Sequence, residues 1–373
     1  MKFKINKNIL QNVLSRIQGL TGRKSNLTIT SCVIIESIGS EIKISATDLE
    51  TGLEGYYDAE VTVDGKIAVN AKKLYEIVRD FPSEDILLDE IENYWIEISD
   101  TNIEYHLVGL NPDDFPLFPV FEKVDFFPIP SDKLGKMIDQ TINIASAGDE
   151  KRIHIMGSLF DIINQDGEKA VRIVATDGNR LATADYFYEA DAFLPESTSH
   201  IVPKKALAEL NKFLTSDITL QIGFKDNYMV VKKDRETIVI RLLEGEFPKY
   251  REIIKHKGQG HIIKLDKQKF LMMLKRMSIL STDDYKGVIF KFGENNLHIE
   301  STNPEIGESK EEMAMTYQGD DVHVAFNPKF FMDALNSVED ENIEINIINE
   351  EKPCFIEGEE DKNFLSVIMP MRI

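Results

Sequence analysis

Asp177 and the adjacent pair Asp283 and Asp284 are the carboxylates that could be cast in acid–base or metal chemistry in this 373-residue sequence. Each sits in a turn-like context, where aspartate ordinarily turns or caps the backbone through its side-chain oxygens. The seven histidines (His106, His154, His200, His256, His261, His298 and His323) are scattered, with no pair at metal-ligand spacing beside cysteines or a carboxylate cluster. Cys32 and Cys354 lie far apart in apolar, strand-like runs, and buried free thiols in a reducing cytoplasm are expected rather than a disulfide. No Gly-x-x-x-x-Gly-Lys phosphate loop, Gly-x-Gly-x-x-Gly dinucleotide turn or Gly-x-Ser-x-Gly nucleophile elbow occurs. No catalytic residue, metal or cofactor is therefore expected. A hydrolase built on repeated α/β units would have no constellation to work with.

The elements around these residues repeat. The length fits two or three domains, and a hydrophobic content of 42% is ample for buried cores. No apolar run approaches the roughly 18–20 residues of a membrane helix. The opening run Met1-Lys2-Phe3-Lys4-Ile5 alternates as a strand does and has no signal-peptide core. Three times, a short alternating strand leads into an amphipathic helix: Phe3-Lys4-Ile5-Asn6, Phe127-Pro128-Ile129-Pro130, and Ile263-Lys264-Leu265-Asp266. Asn6, Ser131 and Asp266 serve as candidate N-caps. Apolar residues recur at three and four inside these helices, with Ile9, Leu10, Val13, Leu14 and Ile17 in the first and Phe270, Leu271, Leu274 and Met277 in the third.

Each copy then carries strands ending in a turn, at Ala46-Thr47-Asp48-Leu49, Ala175-Thr176-Asp177-Gly178 and Ser301-Thr302-Asn303-Pro304. The threonines are 129 and 126 residues apart. A second strand-to-helix unit and about three closing strands follow each time. A period this long is domain triplication, not a solenoid repeat. The predicted domains are 1–122, 123–257 and 258–373, with boundaries in the proline-rich stretch 111–130 and the glycine-containing stretch 255–260. The fold class expected is α+β: three similar domains, each with two helices packed on antiparallel sheets.

Charge is segregated by element. The predicted helices 7–18, 71–80, 131–145, 203–214, 266–280 and 328–337 carry fifteen Lys and Arg against seven Asp and Glu, inside a chain of net charge -21. If the helices line one surface, that surface is positive while the exterior is acidic. Such a wall would meet phosphates without reading bases, since no base-reading motif is present.

Several runs resemble the bacterial beta sliding clamp family, the processivity subunits of DNA polymerase III. They are Val174-Ala175-Thr176-Asp177-Gly178-Asn179-Arg180-Leu181-Ala182, Ala46-Thr47-Asp48-Leu49-Glu50, Asp114-Phe115-Pro116, Gly245-Glu246-Phe247-Pro248-Lys249-Tyr250-Arg251, and the closing Val367-Ile368-Met369-Pro370-Met371-Arg372-Ile373. The resemblance covers essentially the whole chain. It implies a head-to-tail homodimer closing a six-domain ring on double-stranded DNA, with helices lining the hole.

It further implies a hydrophobic pocket that captures peptides of the polymerase catalytic subunit, the clamp loader and repair proteins. The positions matching that pocket are Ile155, Thr176, Gly178, Arg180, Leu181, Pro248, Ile253, Val367, Met369, Pro370, Met371 and Arg372. Asn179 and Glu252 depart from the family, which often has His at the first and a basic residue at the second. For DNA the resemblance points to Arg23, Lys24, Lys151, Arg152, His154, Lys204 and Lys205. For the dimer it points to Ile279 and Leu280, opposed by the strand around 102–108. A different class of protein, an acidic intracellular scaffold that binds peptides without encircling DNA, would share the pocket but not need the helix lysines.

Overall fold

The computed structural model describes residues 1–21, 27–119, 121–145, 153–165, 167–214, 218–280, 287–293, 295–317 and 319–371. Alternation sets the first strand of each copy. Phe3 and Ile5, Phe127 and Ile129, and Ile263 and Leu265 are buried, while Lys4, Pro128 and Lys264 between them are half-buried or exposed. The helices that follow are α1 (Lys7–Thr21), α2 (Ala71–Asp80), α3 (Ser131–Thr141), α4 (Lys204–Asn211), α5 (Tyr250–Ile254), α6 (Lys267–Met277) and α7 (Pro328–Ser337). Asn70, Asp266 and Asn327 cap α2, α6 and α7, accepting from the backbone N–H of Lys73, Lys269 and Lys329.

The apolar stripes do what their spacing requires. Helix α1 buries Leu10, Val13, Leu14, Ile17 and Leu20, and α6 buries Phe270, Leu271, Met273, Leu274 and Met277. Ile9 is a correction to the expected stripe, being 36% exposed. It lies off the axis of the Leu10-Val13-Leu14-Ile17 stripe, because neighbouring residues on a helix point about 100° apart. Helix α3 ends at Thr141 and α6 at Met277, the latter tightening into the 3-10 turn Ser278–Leu280. The five-residue α5 was not anticipated from the sequence.

The chain forms two compact units, Met1–Gly135 with Lys205–Leu242, and Lys136–Lys204 with Leu243–Ile373. The division runs through the middle copy. The first unit holds a five-stranded antiparallel sheet in the order Glu60–Val63, Lys2–Asn6, Asp85–Glu90, Trp95–Ser99, Glu104–Val108. Its other sheet has eight strands, in the order Phe127–Pro130, Thr219–Lys225, Tyr228–Lys233, Glu236–Arg241, Thr51–Asp58, Glu41–Thr47, Cys32–Ile38, Lys66–Asn70. The second unit repeats the design. Its eight-stranded sheet runs Thr198–Pro203, Gly157–Gln165, Glu168–Thr176, Arg180–Phe187, Phe364–Ile368, Cys354–Gly358, Asn342–Ile347, His261–Asp266. Its four-stranded sheet runs Gly307–Ala314, Asn296–Asn303, Val288–Gly293, Val322–Phe326.

One rule joins the copies inside each eight-stranded sheet. The last strand of one copy pairs with the strand that follows the threonine turn of the copy before it. Ile238 lies opposite Leu53 at one junction and Leu365 opposite Thr183 at the other. Of the last strands and post-turn strands that this rule pairs, two lie at a sheet edge with that side open among the described residues: Glu104–Val108, the last of the first copy, and Gly307–Ala314, the post-turn strand of the third. Cys32 and Cys354 are buried free thiols.

Candidate functional site

The threonine turn of the middle copy is built by its own side chains. Thr176 Oγ1 donates to the Arg180 carbonyl at 2.7 Å and accepts from the Gly178 N–H at 3.1 Å. Asp177 Oδ1 accepts from the N–H groups of Asn179 and Arg180, at 2.9 and 3.0 Å. Gly178 has φ +93°, a left-handed conformation that glycine adopts without steric cost. Asp177 is thus a turn former with its lone pairs occupied. Asp283 and Asp284 lie outside the described residues.

Arg180 leaves this turn with its charge already matched. Its Nε meets Asp177 at 3.0 Å, its Nη1 meets Asp333 at 2.6 Å, and its guanidinium lies 4.5 Å from the centre of the Phe330 ring. Only 9% of it is exposed. It holds the turn to α7 instead of offering a free cation.

Beyond the turn, Leu181 lies opposite both Thr176 and Val367 in the sheet. Leu181 and Val367 join Leu159, Val174, Ile201, Tyr250, Phe355 and Leu365 in a small apolar cluster, with Phe247, Ile253 and Ile254 packed against it. The last strand then runs over the turn, the Met369 N–H donating to the Asn179 carbonyl at 3.0 Å and the Met371 N–H to the Ala325 carbonyl at 2.8 Å. Met369 and Met371 stay exposed at 38% and 37%. Pro248 and Pro370 are half-buried, and Ile155 is buried where its 3-10 turn enters the strand Gly157–Gln165. Buried aliphatics below with exposed methionines above make an apolar face that can adapt to a guest.

A polar knot fixes one wall. Asp161 accepts from the Tyr250 hydroxyl, from Arg251 Nη2 at 2.8 Å and from Ser199 Oγ at 2.8 Å. Burial, reinforced by Asp161, raises the Tyr250 phenol above its ordinary pKa, so it stays a donor. This pins α5 and the segment carrying Phe247 and Pro248 to the strand beneath. Phe247 and Tyr250 were not singled out from the sequence, although both lie within the run 245–251 that carried the resemblance.

The basic residues are more engaged than their sequence positions suggest. Lys205 is ion-paired with Asp48, and Lys204 Nζ donates to the Ala145 carbonyl at 2.8 Å. Burial, then the charge of Arg180, lowers the Lys204 pKa. His154 is half-buried beside Gly245. Arg23, Lys24, Lys151, Arg152 and Arg372 lie outside the described residues. Along the helices, Arg16 is tied to Glu236, Lys136 to Glu339 and Asp361, and Arg276 to Glu311. Lys72, Lys275 and Lys329 are exposed and make no ion pair among the described residues.

Ile279 is 74% exposed and Leu280 half-buried in the turn after α6. Alongside, a cavity of about 380 Å³ opens between α6 and the edge strand Gly307–Ala314, lined by Met272, Met273, Arg276, Glu311 and Met313 among others. On the strand Glu104–Val108 of the first unit, Tyr105 and Val108 are 44% and 60% exposed.

The family models of the DNA polymerase III beta subunit match the chain in succession. The N-terminal domain matches residues 1–119, the central domain 128–249 and the C-terminal domain 254–372. A curated relative, the beta sliding clamp of Chlamydia pneumoniae, is 28% identical over 377 residues, covering 100% of this chain and 99% of that protein. The crystal structure of the DNA polymerase III subunit beta from Pseudomonas aeruginosa is similar at a TM-score of 0.93 and 26% identity, with both chains covered completely. A sliding clamp from the same organism bound to griselimycin matches at a TM-score of 0.92 and 26% identity, again over 100% of both chains.

Proposed function

The chain belongs to the DNA polymerase III beta subunit family, and from that premise we propose that two copies close head to tail into a six-domain ring around duplex DNA. It is a DNA sliding clamp, a non-catalytic processivity factor of a DNA polymerase. The observation that carries the ring is the junction rule. Two of the three possible last-strand to post-turn-strand pairings are made within the chain, and the third is left open at both ends, Glu104–Val108 and Gly307–Ala314. An open edge carries unpaired N–H and C=O groups that a second chain can satisfy. The exposed Ile279 and the cavity beside α6 would give that junction its apolar component.

In this arrangement the domains divide near 1–122, 123–257 and 258–373. Helix cations meet phosphates without base contacts, so the hold on DNA is topological and weakly attractive. Lys204 and Lys205 at the start of α4, with His154, Arg23, Lys24, Lys151 and Arg152 outside the helices' described spans, would add further contacts. The face formed by Thr176, Gly178, Leu181, Pro248, Ile253, Val367 and Met369–Met371, with Ile155, Arg180 and Arg372 at its margins, would take short linear peptides of the polymerase catalytic subunit, the clamp loader and other partners. No helix among the described residues is long and apolar enough to cross a membrane, which accords with work in the cytoplasm.

The test is topological. Loaded onto nicked circular DNA, the protein should remain through gel filtration and be lost on linearisation. Equal retention on both forms would sink the encircling ring.

A further inference from the structure

The first copy holds a counterpart of the peptide face, within a single compact unit. Its turn has the same hydrogen bonds: Thr47 Oγ1 donates to the Thr51 carbonyl and accepts from the Leu49 N–H, and Asp48 Oδ1 accepts from Glu50 and Thr51. Registers agree as well. Gly52 lies opposite Thr47 and Val239, as Leu181 lies opposite Thr176 and Val367. Thr47, Leu49, Gly52, Pro116 and Val239 therefore stand where Thr176, Gly178, Leu181, Pro248 and Val367 stand in the other unit, and all five line one cavity of about 90 Å³.

The difference lies in what fills it. Gly52 replaces the leucine, and a Cβ on Gly52 would come within 2.7 Å of both Cε2 and Cζ of Phe118. The ring of Phe118 thus occupies the space that a side chain at position 52 would take. Leu117 beside it is 96% exposed, and Pro116 and Pro119 flank the pair. Downstream, Phe121 packs 5.4 Å from the Tyr228 ring, which also lines the cavity.

We infer that the first copy carries a second peptide groove, which the chain closes with the ring of its own Phe118 acting as a resident ligand, Leu117 beside it standing in solvent. The class of guest follows from the occupant: a short extended peptide with adjacent leucine and phenylalanine, preceded by acidic residues such as Asp113 and Asp114. The inference rests on the peptide-binding role proposed above for the groove in the other unit.

The test uses the full chain and, as probe, a synthetic peptide of residues 113–119. Calorimetric stoichiometry should rise from one peptide per chain in the wild type to two in Phe118→Ala. A rise from none to one would support the closed groove while sinking the peptide role of the other unit. An unchanged count, at one or at none, would overturn the inference. Should Phe118→Ala fail to fold, Gly52→Leu makes no cavity and drives Phe118 out. Chymotrypsin, which does not cut the Phe118–Pro119 bond, should then cut after Leu117 at least tenfold faster than in the wild type, and an unchanged rate would overturn the inference.

Discussion

Met371 contributes its backbone to the fold and leaves its side chain outside it. Its N–H is bonded to the Ala325 carbonyl, yet the residue as a whole is 37% exposed. Truncating it should therefore cost the folded chain less than about 1 kcal/mol, while a peptide seated on the methionine would lose an anchor worth roughly 1–2 kcal/mol. Met371→Ala is expected to weaken partner-peptide binding about tenfold or more by fluorescence anisotropy, with the melting temperature nearly unchanged. Equal affinity would move the peptide site elsewhere. Leu49 poses a different problem. It adopts φ +77° at the turn position where the middle copy has Gly178 at +93°. A left-handed leucine costs roughly 1–2 kcal/mol, part of which a glycine gives back through the greater freedom of its unfolded chain. Leu49→Gly should raise the melting temperature by about 0.5–1 °C, the equivalent of about 0.5 kcal/mol at this size. A fall would mean that the half-exposed leucine packs better than its exposure implies.

Among the elements, the helices were the most legible from sequence. Residues 71–80 and 328–337 fold as helices with those bounds, because Asn70 and Asn327 cap them and periodic apolar residues fill them. Other helix ends were harder to read. Helix α4 starts at Lys204, one residue late, because Pro203 pairs with Gly157 as the last residue of a strand. The threonine turns were visible as repeated landmarks, but Phe118 over Gly52 was not, since it depends on a glycine meeting a ring more than sixty positions away. Charge was legible as a total and not as an arrangement. Lys205 and Arg16 count as positive in the sequence, yet Asp48 and Glu236 neutralise them. The helical cations left to meet phosphate include Lys72, Lys275 and Lys329. Replacing these three by alanine should lower the slope of log affinity against log salt by about 0.9 for each lost phosphate contact. Binding to a short duplex across a salt series measures it, with Lys205→Ala as the comparison expected to change the slope less. A larger effect from Lys205 would mean that DNA displaces Asp48.

For the whole molecule, triplication is what the proposed second copy would complete. Each junction joins a last strand to the preceding copy's post-turn strand, so a chain of three copies ends with one unpaired strand of each kind. Such a pairing is heterologous, and it forms a closed ring only if the rotation between copies closes, and a filament if it does not. Acidic charge does not favour the join, for Glu104 stands on one edge and Glu308, Glu311 and Glu312 on the other, with Lys310 among them. The apolar component must then come from groups such as Ile279, exposed in the isolated chain and next to the open edge. Ile279→Asp should leave folding within about 0.5 kcal/mol of the wild type, because that side chain is already in solvent. Buried without a partner in the closed ring, the carboxylate would cost roughly 3 kcal/mol, about a hundredfold in the dimer dissociation constant. Sedimentation should show a two-subunit species at micromolar concentration for the wild type and a predominantly monomeric variant. If the variant stays dimeric with unchanged affinity, the ring closes on a different surface and these two edges meet some other partner.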